Sequence, residues 1–311
     1  MSNKCITYQL INKDHLPQDL PKILEGSSAI LKTDYSKRTH SGIVTDISDK
    51  LGLTFQLKYI PTISFKLRIY RISNWFNGLP DQEALARDLN SFFMPPKEKC
   101  LLNRANIAGS PVLYCSSDPI TACEEFGLKY GDVFFISVWD FDGTGLTFSD
   151  YTYGQGDNYD TSKLYREVES KFDAEINEES QKCMDYIYKF FASLFALRQD
   201  TYVPRDRYLI PSALAHRDMY EDDCAAIIYP SVRDIYKGVN YALRPDIAER
   251  RTALVKVFAC IFNRRIGAQN IRFDIRAMGG LDNKKIGWSL YDRDNDVEST
   301  QEILRMRFTP Y

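Results

Sequence analysis

The spacing of apolar residues switches from period two to period three-to-four and back again along this chain. That switch excludes more folds than any other feature of the sequence. The run Ser64-Phe65-Lys66-Leu67-Arg68-Ile69-Tyr70-Arg71-Ile72 alternates and predicts a strand, and Pro111–Cys115 and Val133–Trp139 predict two more. Within 160–198, Met184, Ile187, Phe190, Phe191, Leu194 and Phe195 recur at threes and fours. This predicts an amphipathic helix or helix pair whose stripe packs into a core. Further on, a helix is expected over Pro211–Asp218 and strands over Ala225–Tyr229, Leu254–Phe262, Ile271–Ile275 and Ile286–Tyr291. Residues 1–60 read as a small preface with one helix near Leu20–Leu31. Strands and helices do not alternate one for one, so a doubly wound sheet is disfavoured. The expected class is α+β, with a mixed or largely antiparallel sheet and an inserted helical stretch. The expected organisation is an N-terminal extension (1–64), a core (65–257) and a β-rich tail (258–311) on the same domain.

Composition narrows the partners. The formal net charge is −2, which gives no overall electrostatic reason to bind nucleic acid or an anionic membrane. The seven cysteines are scattered and never fall as a CxxC pair, against both a disulfide framework and a structural zinc site. The three histidines form no HExxH, so no metal site is expected. The N-terminal segment lacks the apolar core of a signal peptide, and no run approaches the ~18 apolar residues of a membrane span. A cytoplasmic, reduced location is the expectation.

Several motifs fail on inspection. Gly143-Thr144-Gly145 and Gly154-Gln155-Gly156 each begin a GxGxxG, but Phe148 and Tyr159 replace the third glycine. Asp140-Phe141-Asp142-Gly143-Thr144 follows an apolar strand and resembles the nucleophile motif of haloacid-dehalogenase-type phosphatases. The βα units that should follow it are missing, so a polar turn ending a strand is the better reading. Asp292-Arg293-Asp294-Asn295-Asp296 looks like a calcium loop but has Val297 and Ile303 where glycine and glutamate are needed.

The informative pattern is an ordered set: Tyr70-Arg71; Asn103-Arg104-Ala105-Asn106; Leu113-Tyr114; Thr121-Ala122-Cys123-Glu124-Glu125; Tyr229-Pro230-Ser231-Val232-Arg233; and Gly238-Val239-Asn240. In order and wording it resembles the RES-domain family, from about Leu67 to Lys256. Two departures stand out: Ala105, where many members have phenylalanine, and the helical stretch 160–198, which compact members lack. The resemblance implies an ADP-ribosyltransferase-like core and NAD⁺ as substrate rather than cofactor. It implies cleavage of the nicotinamide–ribose bond by phosphorolysis or hydrolysis, with inorganic phosphate or water as acceptor. Such proteins are toxins of bacterial toxin–antitoxin pairs, so a protein antitoxin is the implied partner. Some members instead transfer ADP-ribose to a protein, and a catalytically silent nucleotide- or partner-binding module is the rival from another class.

The residue chemistry supports such a site independently. Cleaving an N-glycosidic bond builds oxocarbenium character on the ribose, which a nearby carboxylate stabilises. Glu125 is the candidate, on a helix that Asp118 is expected to cap with Pro119 at its first position, and Glu124 should point about 100° away on it. Arg71 and Arg104 suit a diphosphate because guanidinium makes paired, charge-assisted hydrogen bonds. Tyr70 and Tyr114 are candidates to line the pocket or stack on nicotinamide. Asn106 is a further candidate substrate contact, and Ser231 can bond the ribose or orient Glu125. Arg233 and Asn240 are weaker candidates. The competing readings are a surface carboxylate, solvent-facing arginines, core tyrosines and a turn serine.

Overall fold

A computed structural model describes residues 6–8, 17–52, 58–61, 66–74, 88–152, 177–197, 205–233, 238–265, 271–282 and 285–290. Its strands are β1 (Ile6–Tyr8), β2 (Lys58–Pro61), β3 (Lys66–Asn74), β4 (Leu113–Ser116), β5 (Val133–Asp142), β6 (Phe148–Asp150), β7 (Ala226–Pro230), β8 (Val239–Leu243), β9 (Thr252–Arg265), β10 (Ile271–Asp282) and β11 (Lys285–Leu290). Its α-helices are α1 (Leu20–Lys32), α2 (His40–Leu51), α3 (Pro119–Phe126), α4 (Glu178–Phe195), α5 (Leu209–Tyr220) and α6 (Pro245–Arg251). The strands form one sheet in the order β1-β2-β6-β7-β8-β4-β3-β5-β9-β10-β11. Only the β6–β7 pairing among them is parallel. The protein is therefore α+β with a mixed sheet.

Side-chain alternation on β5 shows how the sheet is filled. Phe135, Trp139 and Phe141 enter one apolar cluster, while Phe134, Ile136 and Val138 enter the cluster on the opposite face. A third cluster lies between the β7–β8 region and a helical layer. There the stripe read from sequence on α4, including Ile187, Phe190, Phe191, Leu194 and Phe195, packs with Ile23 and Ile30 of α1 and Ile43 and Ile47 of α2. Each such side chain contributes roughly 1.5–3 kcal/mol when fully buried.

The sheet is weakest at one place. β3 pairs with β5 over nine residues, from Lys66↔Asp142 to Asn74↔Phe134. On its other side β3 pairs with β4 only at Tyr70↔Ser116. β4 in turn pairs along its length with β8, Ser116 opposite Asn240. The middle of the sheet is thus a narrow seam between the β3–β5 and β4–β8 ladders.

The structure corrects and extends the sequence reading. The N-terminal segment holds two helices rather than one, since α2 runs from a Thr39 cap to Gly52. β1 and β2 add to the same sheet as the core strands. β8 and α6 were not foreseen, and the strand expected over Ile271–Ile275 continues to Asp282. The calcium-like segment 292–296, the Gly154-Gln155-Gly156 segment, and residues 160–176 and 198 of the stretch 160–198 lie outside the described residues.

Candidate active site

A cleft of about 280 Å³ opens at the seam. β3 supplies Arg71, β4 supplies Tyr114 and Ser116, α3 supplies Glu125, and β8 supplies Asn240. Arg71 occupies the place where the β3–β4 ladder stops. Its Nη1 donates to the Tyr114 carbonyl at 3.2 Å, a backbone acceptor that lies just past the single bridge. The Arg71 backbone is held from the other side. Ser137 Oγ donates to its carbonyl (3.2 Å) and itself accepts from Trp139 Nε1 (2.9 Å).

Helix α3 presents Glu125, and its placement is over-determined. Asp118 caps it as the sequence predicts: Oδ1 accepts from the N–H groups of Ile120 (3.0 Å) and Thr121 (2.9 Å), with Pro119 in the first turn. Gly127 ends it with φ +73°, the left-handed conformation glycine adopts without strain. Gly238, just before β8, lies so close that a Cβ there would sit 1.8 Å from Thr121 Oγ1. Only a glycine lets α3 and β8 approach this tightly.

That approach brings Asn240 to Glu125. Asn240 Nδ2 donates to Glu125 Oε1 at 3.0 Å, and Ser231 Oγ donates to the same oxygen at 2.7 Å. The Asn240 amide is itself oriented, because its Oδ1 accepts from Ser116 Oγ at 2.7 Å. Two donors on one oxygen fix the carboxylate rotamer. Among the described residues, Oε2 carries no hydrogen bond. Glu124 is buried and does not line the cleft, so Glu125 is the carboxylate that α3 offers to it.

The two arginines share an unusual condition. Among the described residues, Arg71 and Arg104 each have a buried Nε with no hydrogen-bond partner, and both line the cleft. Burial lowers the Arg71 pKa from the ordinary guanidinium value, with Cys115, Cys100 and Tyr114 opposing. Arg104 is buried, and its Nη2 donates to the Leu197 carbonyl at 2.6 Å. Its guanidinium carbon lies 5.5 Å from the centre of the Tyr229 ring and 5.7 Å from that of Tyr208. Among the described residues neither arginine has a carboxylate partner. Buried donors without acceptors beside uncompensated charge favour an anion in the cleft. Burial also pushes the Cys115 thiol up to about 12, so this cleft cysteine is a thiol rather than a nucleophilic thiolate.

The remaining predicted residues are placed differently. Tyr70 borders the cleft but sits almost wholly in the core cluster with Ile72, Ala122 and Cys123. Tyr114 lines the cleft, and its hydroxyl is committed to the adjoining loop: it accepts from the Ala105 N–H (3.0 Å) and donates to Asn106 Oδ1 (2.8 Å). Asn106 does not line the cleft. Its Nδ2 donates to the Leu101 and Ile107 carbonyls, so the whole amide braces the 101–107 loop that carries Arg104. Ser231 is fully buried behind Glu125 and also lies outside the lining. Its described contact is orientation of the carboxylate, the second of the two roles considered for it. Asn240 bonds the same carboxylate oxygen and, unlike Ser231, also lines the cleft. Tyr208 has no motif around it, and the sequence offers no signal for its place in the cleft.

The DFDGT segment lies outside the lining. Asp140 is 52% exposed and pairs across the strands with Arg68, Nε to Oδ1 at 2.9 Å. Asp142 Oδ1 accepts from the Thr144 N–H in the turn that follows β5. Among the described residues no group of three or more potential metal ligands occurs, and no helix is long and apolar enough to cross a membrane. Compared with known proteins, the sequence matches no family model and no curated relative.

Proposed function

We propose that this protein cleaves the nicotinamide–ribose bond of NAD⁺, with phosphate or water as acceptor, as a toxin of a bacterial toxin–antitoxin pair in the cytoplasm. The observation that carries the proposal is the Ser231–Glu125–Asn240 cluster, which holds a carboxylate at the edge of a cleft containing the buried Arg104 and the half-buried Arg71. We read the split sheet accordingly as an ADP-ribosyltransferase-like core, in agreement with the ordered motifs of the RES-domain family.

In this reading the arginines receive the diphosphate, whose oxygens supply the acceptors that the two Nε groups lack. Glu125 sits by the ribose. As the C1′–N bond breaks, its electron pair goes to the nicotinamide nitrogen and positive charge develops on the sugar. A fixed carboxylate stabilises that charge without reorganising. The acceptor oxygen then bonds to C1′. Water yields ADP-ribose and a proton; phosphate yields the ADP-ribosyl phosphate. Ser231 and Asn240 act through Glu125 as positioning residues.

The test is incubation of purified protein with NAD⁺, with and without phosphate, and identification of products by mass. Free nicotinamide with either ADP-ribose or its phosphate is the expected result. Intact NAD⁺ after long incubation with folded protein overturns the proposal.

A further inference from the structure

The helical stretch that breaks the family pattern ends at the cleft. The Leu197 carbonyl, just past α4, accepts from Arg104 Nη2, and Tyr208, just before α5, brings its ring to the same guanidinium. The other ring beside Arg104, Tyr229, belongs to β7 and to the Tyr229-Pro230-Ser231 motif. The motif and the residues just before α5 therefore each contribute one aromatic ring to one arginine. An arginine side chain has many rotamers to lose, so a site that must present it to an anion gains by fixing it beforehand. The 101–107 loop cannot do so alone. Its bracing by Asn106 and Tyr114 fixes backbone, while the long side chain extends beyond it.

We infer that Tyr208, together with the Leu197 carbonyl, positions Arg104, so that the end of the helical stretch and the residues just before α5 form a working wall of the substrate site. The bearing on substrate rests on the NAD⁺ reading above; the positioning itself does not. The Tyr208 ring attracts the cation through its face and also helps keep water from the buried Nε. Tyr208 is a positioning residue. Its loss should raise KM for NAD⁺ and leave kcat near the wild-type value, because Glu125 is held by a separate set of bonds.

The experiment uses Tyr208→Leu, which keeps apolar bulk, and Tyr208→Phe, which keeps the ring, each also in an Arg104→Ala background for kinetics. The first readout needs no substrate: exchange of the Arg104 Nε–H with solvent, followed by NMR. Tyr208→Leu should speed it by roughly tenfold, and Tyr208→Phe should stay close to wild type. The second readout is KM for NAD⁺. Tyr208→Leu should raise it by roughly three- to thirtyfold, and that rise should vanish when Arg104 is already alanine. Unchanged exchange in a folded Tyr208→Leu variant overturns the positioning. Faster exchange with unchanged KM overturns its bearing on substrate. Faster exchange in a protein whose wild type leaves NAD⁺ intact supports the positioning and refutes the NAD⁺ reading instead.

Discussion

The seam between β3 and β4 and the far end of β5 both place carboxylates beside arginines, and they are built in opposite ways. At the end of β5, Asp140 meets Arg68 directly, in the open, as one cross-strand pair. Such exposed pairs are worth roughly 0–1 kcal/mol. At the seam, Glu125 is held by two neutral donors far away in sequence, while Arg71 and Arg104 bond backbone carbonyls rather than carboxylates. Charges that neutralise each other have little left for a ligand. Charges kept apart, each fixed by neutral partners, remain available. This difference, rather than motif wording, separates the candidate site from the DFDGT turn.

Substitutions should rank the two regions on NAD⁺ cleavage. Glu125→Gln keeps shape and removes charge, and should cost on the order of 10²-fold or more in kcat, read as nicotinamide release. Arg104→Ala and Arg71→Ala should each raise KM by about ten- to a hundredfold, because each removes charge-assisted hydrogen bonds worth roughly 1.5–3 kcal/mol. Arg71→Ala should also lower the melting temperature, since it frees the Tyr114 carbonyl at the seam. Lysine at either position should restore only part of the affinity. An unchanged KM in both alanine variants would remove the arginines from the site. Ser231→Ala leaves Asn240 as the one donor to Glu125 Oε1 among the described residues and should lower kcat by roughly tenfold with little change in KM.

Asp150 separates burial from function. It lies buried in β6, away from the cleft, and burial raises its pKa to about 6 against the lowering bonds from Thr152. The folded protein therefore holds this proton more tightly than the unfolded chain, whose aspartate titrates near ~3.9. Its contribution to stability is full below about pH 4 and is lost as pH rises through about 6. Asp150→Asn should thus gain on the wild type at pH 8, by about 2–3 kcal/mol at most, and the gap should close near pH 4. Paired denaturant titrations at the two values check the sign. An equal gap at both would contradict it, and NAD⁺ cleavage should be unaffected.

Local chemistry made part of this site legible. Asp118 and Pro119 announced the start of α3, and the stripe on α4 announced its buried face. The same kind of signal marked α2, where Thr39 caps and Ile43, Ile47 and Leu51 repeat every fourth residue, but three adjacent polar positions obscured it. What local pattern could not supply is register. The single Tyr70↔Ser116 bridge arises from the way strands distant in sequence stack, so the seam has no signature in any one segment. Asn240 illustrates the consequence: it reaches Glu125 across 115 positions of sequence, inside a short apolar run that hid both β8 and its role. Asn106 and Ser231 show the converse. Motif spelling marked them, yet their described side-chain contacts brace a loop and a carboxylate from outside the cleft lining.

The most direct measurement of the central claim compares initial rates of nicotinamide release from NAD⁺ for wild type, Glu125→Gln and Asp140→Asn, each first shown to be folded by circular dichroism and melting temperature. The account predicts an active wild type, a Glu125→Gln variant slower by roughly 10²-fold, and an Asp140→Asn variant close to wild type. A fully active Glu125→Gln beside a dead Asp140→Asn would contradict it.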